Sequence, residues 1–521
     1  MGCRTLLLCC ALLGWSGVRA DARADLDAMF DDTMARYRLP GLAVGVITDG
    51  EVSYVRTAGE LRAGEGKAID RDTLFKIASN SKAMTTALLA RLVDAGRLRW
   101  DDPVTRHLPA FRMHDPWVTR EIQVRDLLIH NSGLGEGAGD LMLWPEPNAY
   151  TRADILAGLA HLKPTHSFRA HYSYDNLLYV VAGEVAAAAG GAPYETLLQR
   201  EVFEPLGLAR CRVGEFGLDA VGNVAQPHMR EGDGNRVIRE DAAVVPASTS
   251  AAAGGVRCSL GAMLRWARVW LDPDHTLPSG APWLSPEQRR MLWTAHMPMP
   301  LSARQRAWDD GHFLAYGFGW RLSDVDGEYR VSHTGTLAGM YSLLTLLPDR
   351  RSGFVILING DGSDARTVLG QALVKHFTAP GQQRGVAYYA DALAAERAEA
   401  SAGGSAPRDA AARAPTAPAA LGPWLGVYRD PWFGEVRLCA EGERVVFRAR
   451  KSPRLVGTVQ RVGARDLVDW DDPSVDAEPW LAFAAADGGA DVRLTLSHVD
   501  PQADFSYDYA DLAFTRVRGC D

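Results

Sequence analysis

Apolar positions along this chain change their spacing several times. Leu42-Ala-Val-Gly-Val-Ile47 is a short continuous apolar run, followed by Asp49-Gly50 and then by Val52 to Val55. Two strand-like runs around Asp-Gly predict a β-hairpin, because Asp and Gly tolerate the left-handed backbone of a tight hairpin turn. From Ala83 to Ala95 the period lengthens. Met84, Leu88, Leu92 and Ala95 recur at helical spacing, and Gly96 stands where a C-terminal cap is expected. Leu177 to Ala189 reads as a second apolar helix, ending at Gly190-Gly191. Strand-like alternation returns over 330–347, with Thr334-Gly335-Thr336 inside it. Ser342 to Leu347 and Gly353 to Ile358 then read as an antiparallel pair joined by Pro348-Asp349-Arg350. Strands at both ends with helices between predict one mixed α/β (α+β) unit over residues 24–385, its sheet assembled from distant parts of the chain.

The pattern then breaks. Tyr389 to Ala400 is Ala/Glu-rich and reads as a terminal helix, while residues 401–420 are almost purely Ala, Pro, Gly, Ser and Arg, a linker composition. Residues 386–420 are therefore expected to be a helix and linker. From 421 to 518 short alternating segments recur (Val436–Leu438, Val445–Arg448, Leu455–Val459, Val492–Leu496, Leu512–Thr515), separated by Gly and Asp clusters. They predict a small all-β barrel or sandwich.

Composition narrows the class. The chain has 521 residues, 47% of them apolar, which excludes disorder as a whole-chain description. Net charge is −8, from 56 basic and 64 acidic residues. A nucleic-acid binder usually carries a basic domain, so no nucleic-acid partner is expected. Only six of the basic residues are Lys, so the position of each carries unusual weight. Arg4, the apolar Thr5 to Leu13 and small residues at Val18-Arg19-Ala20 predict a secretory signal over residues 1–20, hence a periplasmic or secreted protein. The apolar stretch is shorter than the roughly 20 residues of a transmembrane helix, and no membrane span is expected. Beyond the signal remain Cys211, Cys258, Cys439 and Cys520. Four cysteines in an oxidising compartment allow three pairings, of which the two-domain division favours Cys211–Cys258 with Cys439–Cys520; buried free thiols are the alternative.

Candidate chemistry sits in three places. Ser79-Asn80-Ser81-Lys82 opens the first helix, and residues three apart on a helix share a face, so Ser79 and Lys82 can touch. A Ser hydroxyl needs a base to become a nucleophile. Lys serves as one only when burial or nearby positive charge lowers its pKa from about 10.4. Tyr174-Asp175-Asn176 approaches the second helix: a Tyr hydroxyl can relay a proton and an Asn amide can orient Lys82 and substrate. His333-Thr334-Gly335-Thr336 lies on a predicted strand, where a donor could meet a substrate carboxylate and Gly335 would let substrate approach the backbone. Each has a plain structural alternative: a surface Lys after a cap, a buried Tyr and Asn, an ordinary strand His.

In this order and spacing, the three segments resemble the serine β-lactamase and penicillin-binding-protein superfamily. The resemblance covers residues 24–360 and is carried also by Pro40-Gly41-Leu42, by His130-Asn131-Ser132-Gly133-Leu134 and by Tyr316-Gly317-Phe318-Gly319-Trp320. It is nearest the branch of class C β-lactamases, D-alanyl-D-alanine carboxypeptidases and related esterases. Residues 421–518, with Trp424-Leu425-Gly426-Val427-Tyr428 and Gly434, resemble the small lipocalin-like barrel that follows this catalytic domain in some relatives. The resemblance implies an antiparallel sheet flanked by helices with an all-helical subdomain. It implies Ser79 as acylated nucleophile, Lys82 as its base, and Tyr174 as proton carrier to the leaving group. Asn176 would position Lys82 and substrate, His333 would stand near the substrate carboxylate and the Tyr174 hydroxyl, Thr334 and Gly335 would bind substrate, and the N–H groups of Ser79 and Thr336 would form the oxyanion hole. No metal or other cofactor is implied. His333 stands where the β-lactamases mostly have Lys, which points to a peptide or small-ester substrate before a β-lactam. A true β-lactamase and a non-catalytic cell-wall peptide sensor are the alternatives. Oligomeric state is left open.

Overall fold

The computed structural model describes residues 23–382, 384–402, 413–485 and 492–520. The predicted signal over 1–20 and residues 403–412, half of the predicted 401–420 linker, lie outside the described residues. The first unit is an eight-stranded antiparallel sheet with helices on both faces. Its strands are β1 (Gly41–Thr48), β2 (Glu51–Gly59), β3 (Met297–Pro298), β4 (Leu314–Tyr316), β5 (Arg321–Val325), β6 (Glu328–Leu337), β7 (Met340–Leu347) and β8 (Ser352–Ile358), in the order β3-β4-β5-β6-β7-β8-β1-β2. The β1–β2 turn has Asp49 at φ 52° and Gly50 at φ 83°, the left-handed pair that the hairpin requires. The alternating stretch over 330–347 is two strands, because the chain reverses at Ala338-Gly339, with Gly339 at φ 69°. The sheet closes on sequence-distant neighbours, β1 pairing with β8 from Leu42↔Ile358 to Ile47↔Gly353.

Burial of β1 and β8 explains their unbroken apolar runs. Leu42, Val44, Val46, Phe354 and Ile356 face a layer built from residues 23–37 and two C-terminal helices, Ser363–Thr378 and Val386–Ala402. Ala43, Ile47, Val355 and Leu357 face the opposite layer. There lie α1 (Ser81–Asp94), α2 (Leu177–Gly190) and α3 (Leu260–Leu271). Helix α1 is buried on nearly every side, from Ser81 through Leu92, so it is a core helix with little amphipathic character. Gly191, at φ 68°, caps α2. No single helix among the described residues is long and apolar enough to cross a membrane.

The C-terminal unit is a closed eight-stranded barrel. Its strands are β9 (Gly426–Asp430), β10 (Gly434–Glu441), β11 (Arg444–Ala449), β12 (Val456–Val462), β13 (Arg465–Trp470), β14 (Pro479–Ala485), β15 (Val492–His498) and β16 (Ala513–Arg518). They run β12-β11-β10-β9-β16-β15-β14-β13, and β12 pairs with β13 to close the ring. Strand β15 shows the reason: Val492, Leu494 and Leu496 are buried while Arg493, Thr495 and Ser497 are exposed, so one side fills the barrel and the other faces solvent. Ala414–Pro415, at the end of the predicted linker, adds to the outside of β12. Disulfides join Cys211 to Cys258 and Cys439 to Cys520.

The barrel is docked on the first unit. The Tyr150 hydroxyl donates to the Phe433 carbonyl at 2.7 Å, and the Ala149 N–H donates to the Lys451 carbonyl at 2.7 Å. Lys451 pairs with Asp154 at 2.6 Å, and Arg454 donates to the Glu146 carbonyl at 2.7 Å.

Candidate active site

Ser79 lies on a single 3-10 turn, Ala78–Asn80, that feeds α1. Ala78 before it is left-handed, at φ 48°. For a residue with a Cβ this costs about 1–2 kcal/mol, and here it sharpens the turn that presents Ser79. The turn is fastened to β7, where Ser342 Oγ donates to the Ile77 carbonyl and accepts from Asn80 Nδ2, both at 2.7 Å.

One helical turn on, Lys82 is fully buried with Nζ 3.1 Å from Ser79 Oγ. Its other two contacts are pure acceptors, Asn176 Oδ1 at 2.7 Å and the Ala253 carbonyl at 2.9 Å. A neutral amine has two N–H bonds and one lone pair. With both N–H groups taken by these carbonyls, the lone pair is left for the Ser79 O–H. Burial is the main cause that lowers the Lys82 pKa, to about 7; Arg321 lowers it further, while Asp140 and Asp175 oppose. The Tyr174 hydroxyl lies 2.9 Å from Ser79 Oγ, and burial pushes its pKa up to about 12, so it stays a proton donor.

Asn176 precedes α2, where an Asn side chain commonly caps the helix. Asn176 makes no such bond; Asp175 accepts from the Leu178 N–H instead. That leaves Asn176 to bridge Lys82 and Asp140, its Nδ2 donating to Asp140 Oδ2 at 2.7 Å. Since the carboxylate takes the NH2 end, the amide orientation is set and Oδ1 faces Lys82. Sequence reading missed Asp140. Its signal, an acid in an otherwise apolar Ala138–Leu143 stretch, acquires meaning only once Asn176 is beside it.

The third segment divides. Thr334 and Thr336 border a cavity of about 510 Å3 that also contains Ser79, Tyr174 and Asn176. His333 does not border it. The imidazole is 1% exposed and turned away, Nδ1 2.6 Å from the Thr334 carbonyl and Nε2 2.8 Å from the Tyr316 hydroxyl. The carbonyl can only accept, so Nδ1 carries the proton and Nε2 accepts from Tyr316. Burial, with Arg321 and Lys82 nearby, holds its pKa well below the usual value and keeps it neutral. His333 therefore does not take the expected place beside the cavity; of the guanidiniums that border it, Arg239, Arg321 and Arg454, it is Arg321 that meets this strand, its Nη1 donating to Thr334 Oγ1 at 2.7 Å. Arg366 stands behind the strand, donating to the Gly335 carbonyl at 2.6 Å and to Thr336 Oγ1 at 2.8 Å. Neither arginine was singled out among fifty, since each acquires its neighbours only through the sheet and the helix behind it. Gly335 also differs from expectation. A Cβ there would lie 2.1 Å from the Ile77 carbonyl and 2.3 Å from Ser342 Oγ, so the glycine admits the nucleophile turn rather than substrate.

The barrel forms part of the cavity wall. Arg454, Ser474, Asp504, Phe505 and Tyr507 border it, and the Phe505 ring meets the Tyr174 ring edge-on at 5.8 Å. Lys76, a second buried amine whose pKa burial lowers to about 8, also borders the cavity.

An antiparallel sheet between helical layers, with a Ser-x-x-Lys turn and a Tyr-x-Asn turn meeting over one cavity, defines the β-lactamase/transpeptidase class of serine hydrolases. The family model described as Beta-lactamase matches residues 26–377, and the chain belongs to that family. It is 29% identical over 334 residues to penicillin-binding protein 4 of Amycolatopsis lactamdurans, covering 64% of this chain and 84% of that one. It is 23% identical over 329 residues to the D-alanyl-D-alanine-carboxypeptidase/endopeptidase AmpH of Escherichia coli K12, covering 61% and 79%. The octameric penicillin-binding protein homologue from Pyrococcus abyssi shares the fold with a TM-score of 0.56 at 18% identity, over 95% of this chain and 99% of that one. The protein is a serine hydrolase of the β-lactamase-related family.

Proposed function

We propose that this enzyme is exported and forms an acyl-enzyme on Ser79 from D-amino-acid-containing peptides or small esters that carry a free carboxylate. The observation that carries this reading is the pairing of the Ser79–Lys82–Tyr174 contacts with a fixed cation, Arg321, in the same cavity. Neutral Lys82 takes the Ser79 proton as Oγ attacks the substrate carbonyl. The N–H groups of Ser79 and Thr336 are assigned to the oxyanion, where each donor contributes about 2.7–4 kcal/mol. Tyr174 gives its proton to the departing amine or alcohol and recovers one from protonated Lys82, so a proton passes from Ser79 to the leaving group. Water then attacks the ester, gives its proton back through the same groups, and frees Ser79. Arg321, held by the Thr334 hydroxyl, receives the substrate carboxylate. A charge-assisted contact of this kind contributes about 1.5–3 kcal/mol.

The same cation supports a second reading. A neutral His333 in contact with substrate would argue against β-lactam turnover, but a permanent guanidinium meets a β-lactam carboxylate as well as a Lys does. Hydrolysis of a chromogenic cephalosporin at rates matching D-peptide turnover would favour that reading.

The test is intact mass after incubation with a fluorophosphonate, with peptide mapping and Ser79→Ala as control. One adduct on Ser79, absent from a folded Ser79→Ala variant, is expected. Labelling elsewhere, or D-peptide turnover retained in the variant, would sink the assignment. Export rests on the predicted signal alone, and the N-terminal sequence of protein recovered from the cell envelope or medium checks it.

A further inference from the structure

The barrel's closest approach to the catalytic machinery is one loop, residues 503–508, against one turn, residues 137–140. Asp508, 7% exposed, accepts the Gly139 N–H on Oδ2 at 2.6 Å. Gly137 lies directly under Phe505: a Cβ there would be 2.5 Å from the Phe505 carbonyl oxygen. Burial pushes the Asp140 pKa well above the usual carboxylate range, and hydrogen bonds from Asn176 and from Ser506 of the loop oppose that shift. The clamped turn is itself tied to two residues of the site. The Gly137 N–H donates to the Tyr174 carbonyl at 2.8 Å, and Asp140 holds the Asn176 amide at 2.7 Å. Gly139 and Asp140 are adjacent, with Gly139 at φ 76° and Asp140 N–H donating back to the Gly137 carbonyl at 2.9 Å, so the turn is short and stiff enough to pass a displacement on.

We infer that Asp508 of the barrel is a positioning residue for catalysis, holding the 137–140 turn so that Asp140 keeps Asn176 Oδ1 on Lys82. This rests on the acyl-enzyme reading above. The barrel is then a structural part of the base assembly as well as a wall of the cavity. When the Gly139 N–H loses its acceptor, the buried donor must find another, and the turn shifts to reach one. Asn176 then releases the Lys82 N–H, and the lone pair is no longer aimed at Ser79. Misplacement of about 1 Å costs up to about 100-fold in rate.

The readout is the rate of Ser79 labelling by a fluorophosphonate, with kcat and KM for a D-amino-acid amide beside it. Asp508→Ala is expected to slow labelling about 10- to 100-fold and to lower kcat with KM little changed. Asp508→Asn keeps a carbonyl oxygen for Gly139 and is expected to recover most of the rate. In an Asn176→Ala background the Asp508→Ala change should have little further effect, since the two act through one contact. The pH midpoint of labelling should move down in Asp508→Ala, because a Lys82 ammonium that loses the Asn176 acceptor is less stable. Wild-type labelling by Asp508→Ala, or an equal loss in the Asn176→Ala background, would overturn the inference. Should Asp508→Ala not fold, Asp508→Glu displaces the carboxylate by one methylene, and an unchanged rate in that variant would overturn it equally. A wild-type enzyme that is not labelled at Ser79 would instead overturn the acyl-enzyme reading on which this depends.

Discussion

The two faces of strand β6 divide the work of one short motif. On one face Val331, His333 and Gly335 are buried; on the other Ser332, Thr334 and Thr336 are open in part or whole. The buried face is structural: His333 is locked between Tyr316 and a carbonyl, and Gly335 accommodates the Ile77-Ala78 turn. The open face holds the hydroxyls that meet Arg321 and Arg366. Successive strand residues point to opposite sides, so His333 and Thr334 leave β6 in opposite directions, and of the two only Thr334 borders the cavity. A motif's neighbours in sequence are thus divided by geometry between packing on the Ile77-Ala78 turn and bordering the cavity.

The largest way to break this division is Gly335→Ala. The new methyl would meet the Ile77 carbonyl and Ser342, pushing β6 off the nucleophile turn. Overpacking of this kind costs about 1–3 kcal/mol. Turnover should fall more than about 100-fold because the displaced atoms neighbour Ser79. Thermal unfolding and Ser79 labelling read the two effects, and a wild-type labelling rate would show that the contact tolerates the methyl.

The second contrast sets the open face against the buried one. Arg321→Met should raise KM for a carboxylate-bearing D-peptide roughly 10- to 100-fold, the loss of one charge-assisted contact. It should leave an uncharged ester within a few-fold. His333→Gln, which removes the imidazole from a place away from the cavity, should change that same KM by less than about 3-fold if it folds. A larger KM effect from His333 than from Arg321 would reverse the two assignments.

The smallest expected effect follows from Lys82. Its pKa is lowered to about 7 and only the neutral amine accepts the Ser79 proton, so labelling should rise with pH through about 7 and level off above it. At one unit below the midpoint the rate should be roughly a tenth of the plateau. Tyr174, raised to about 12, should add no descending limb in the neutral range. A flat profile between pH 5 and 9 would remove Lys82 as the titrating base.

Legibility varied with the range of the interaction. The Asp49-Gly50 hairpin, helices α1 and α2, and the repeated short strands of the barrel follow from local pattern, and the fold class follows with them. Strands β13 and β14 were missed because Arg465–Trp470 mixes charge into its apolar positions and Pro479–Ala485 is apolar without alternation. Within the site, Ser79 and Lys82 are neighbours because a helical turn makes them so, and their contact was readable from a three-residue spacing. Tyr174 and Asn176 reach them from about 95 positions away, through the packing of α2 against α1.

The sequence alone determined the parts whose partners lie within a turn or a hairpin: the two helices, the Ser79–Lys82 contact, the change from a mixed unit to a barrel. Only the tertiary structure decided which way His333 faces, that Arg321 supplies the cation, that Asp140 sets the Asn176 amide, and that a barrel loop reaches that carboxylate's turn. Those contacts join segments separated by 13 to 369 positions. Nothing in local propensity encodes them. They arise when the sheet, the helical layer and the barrel close on one cavity and each buried polar group must find a partner there.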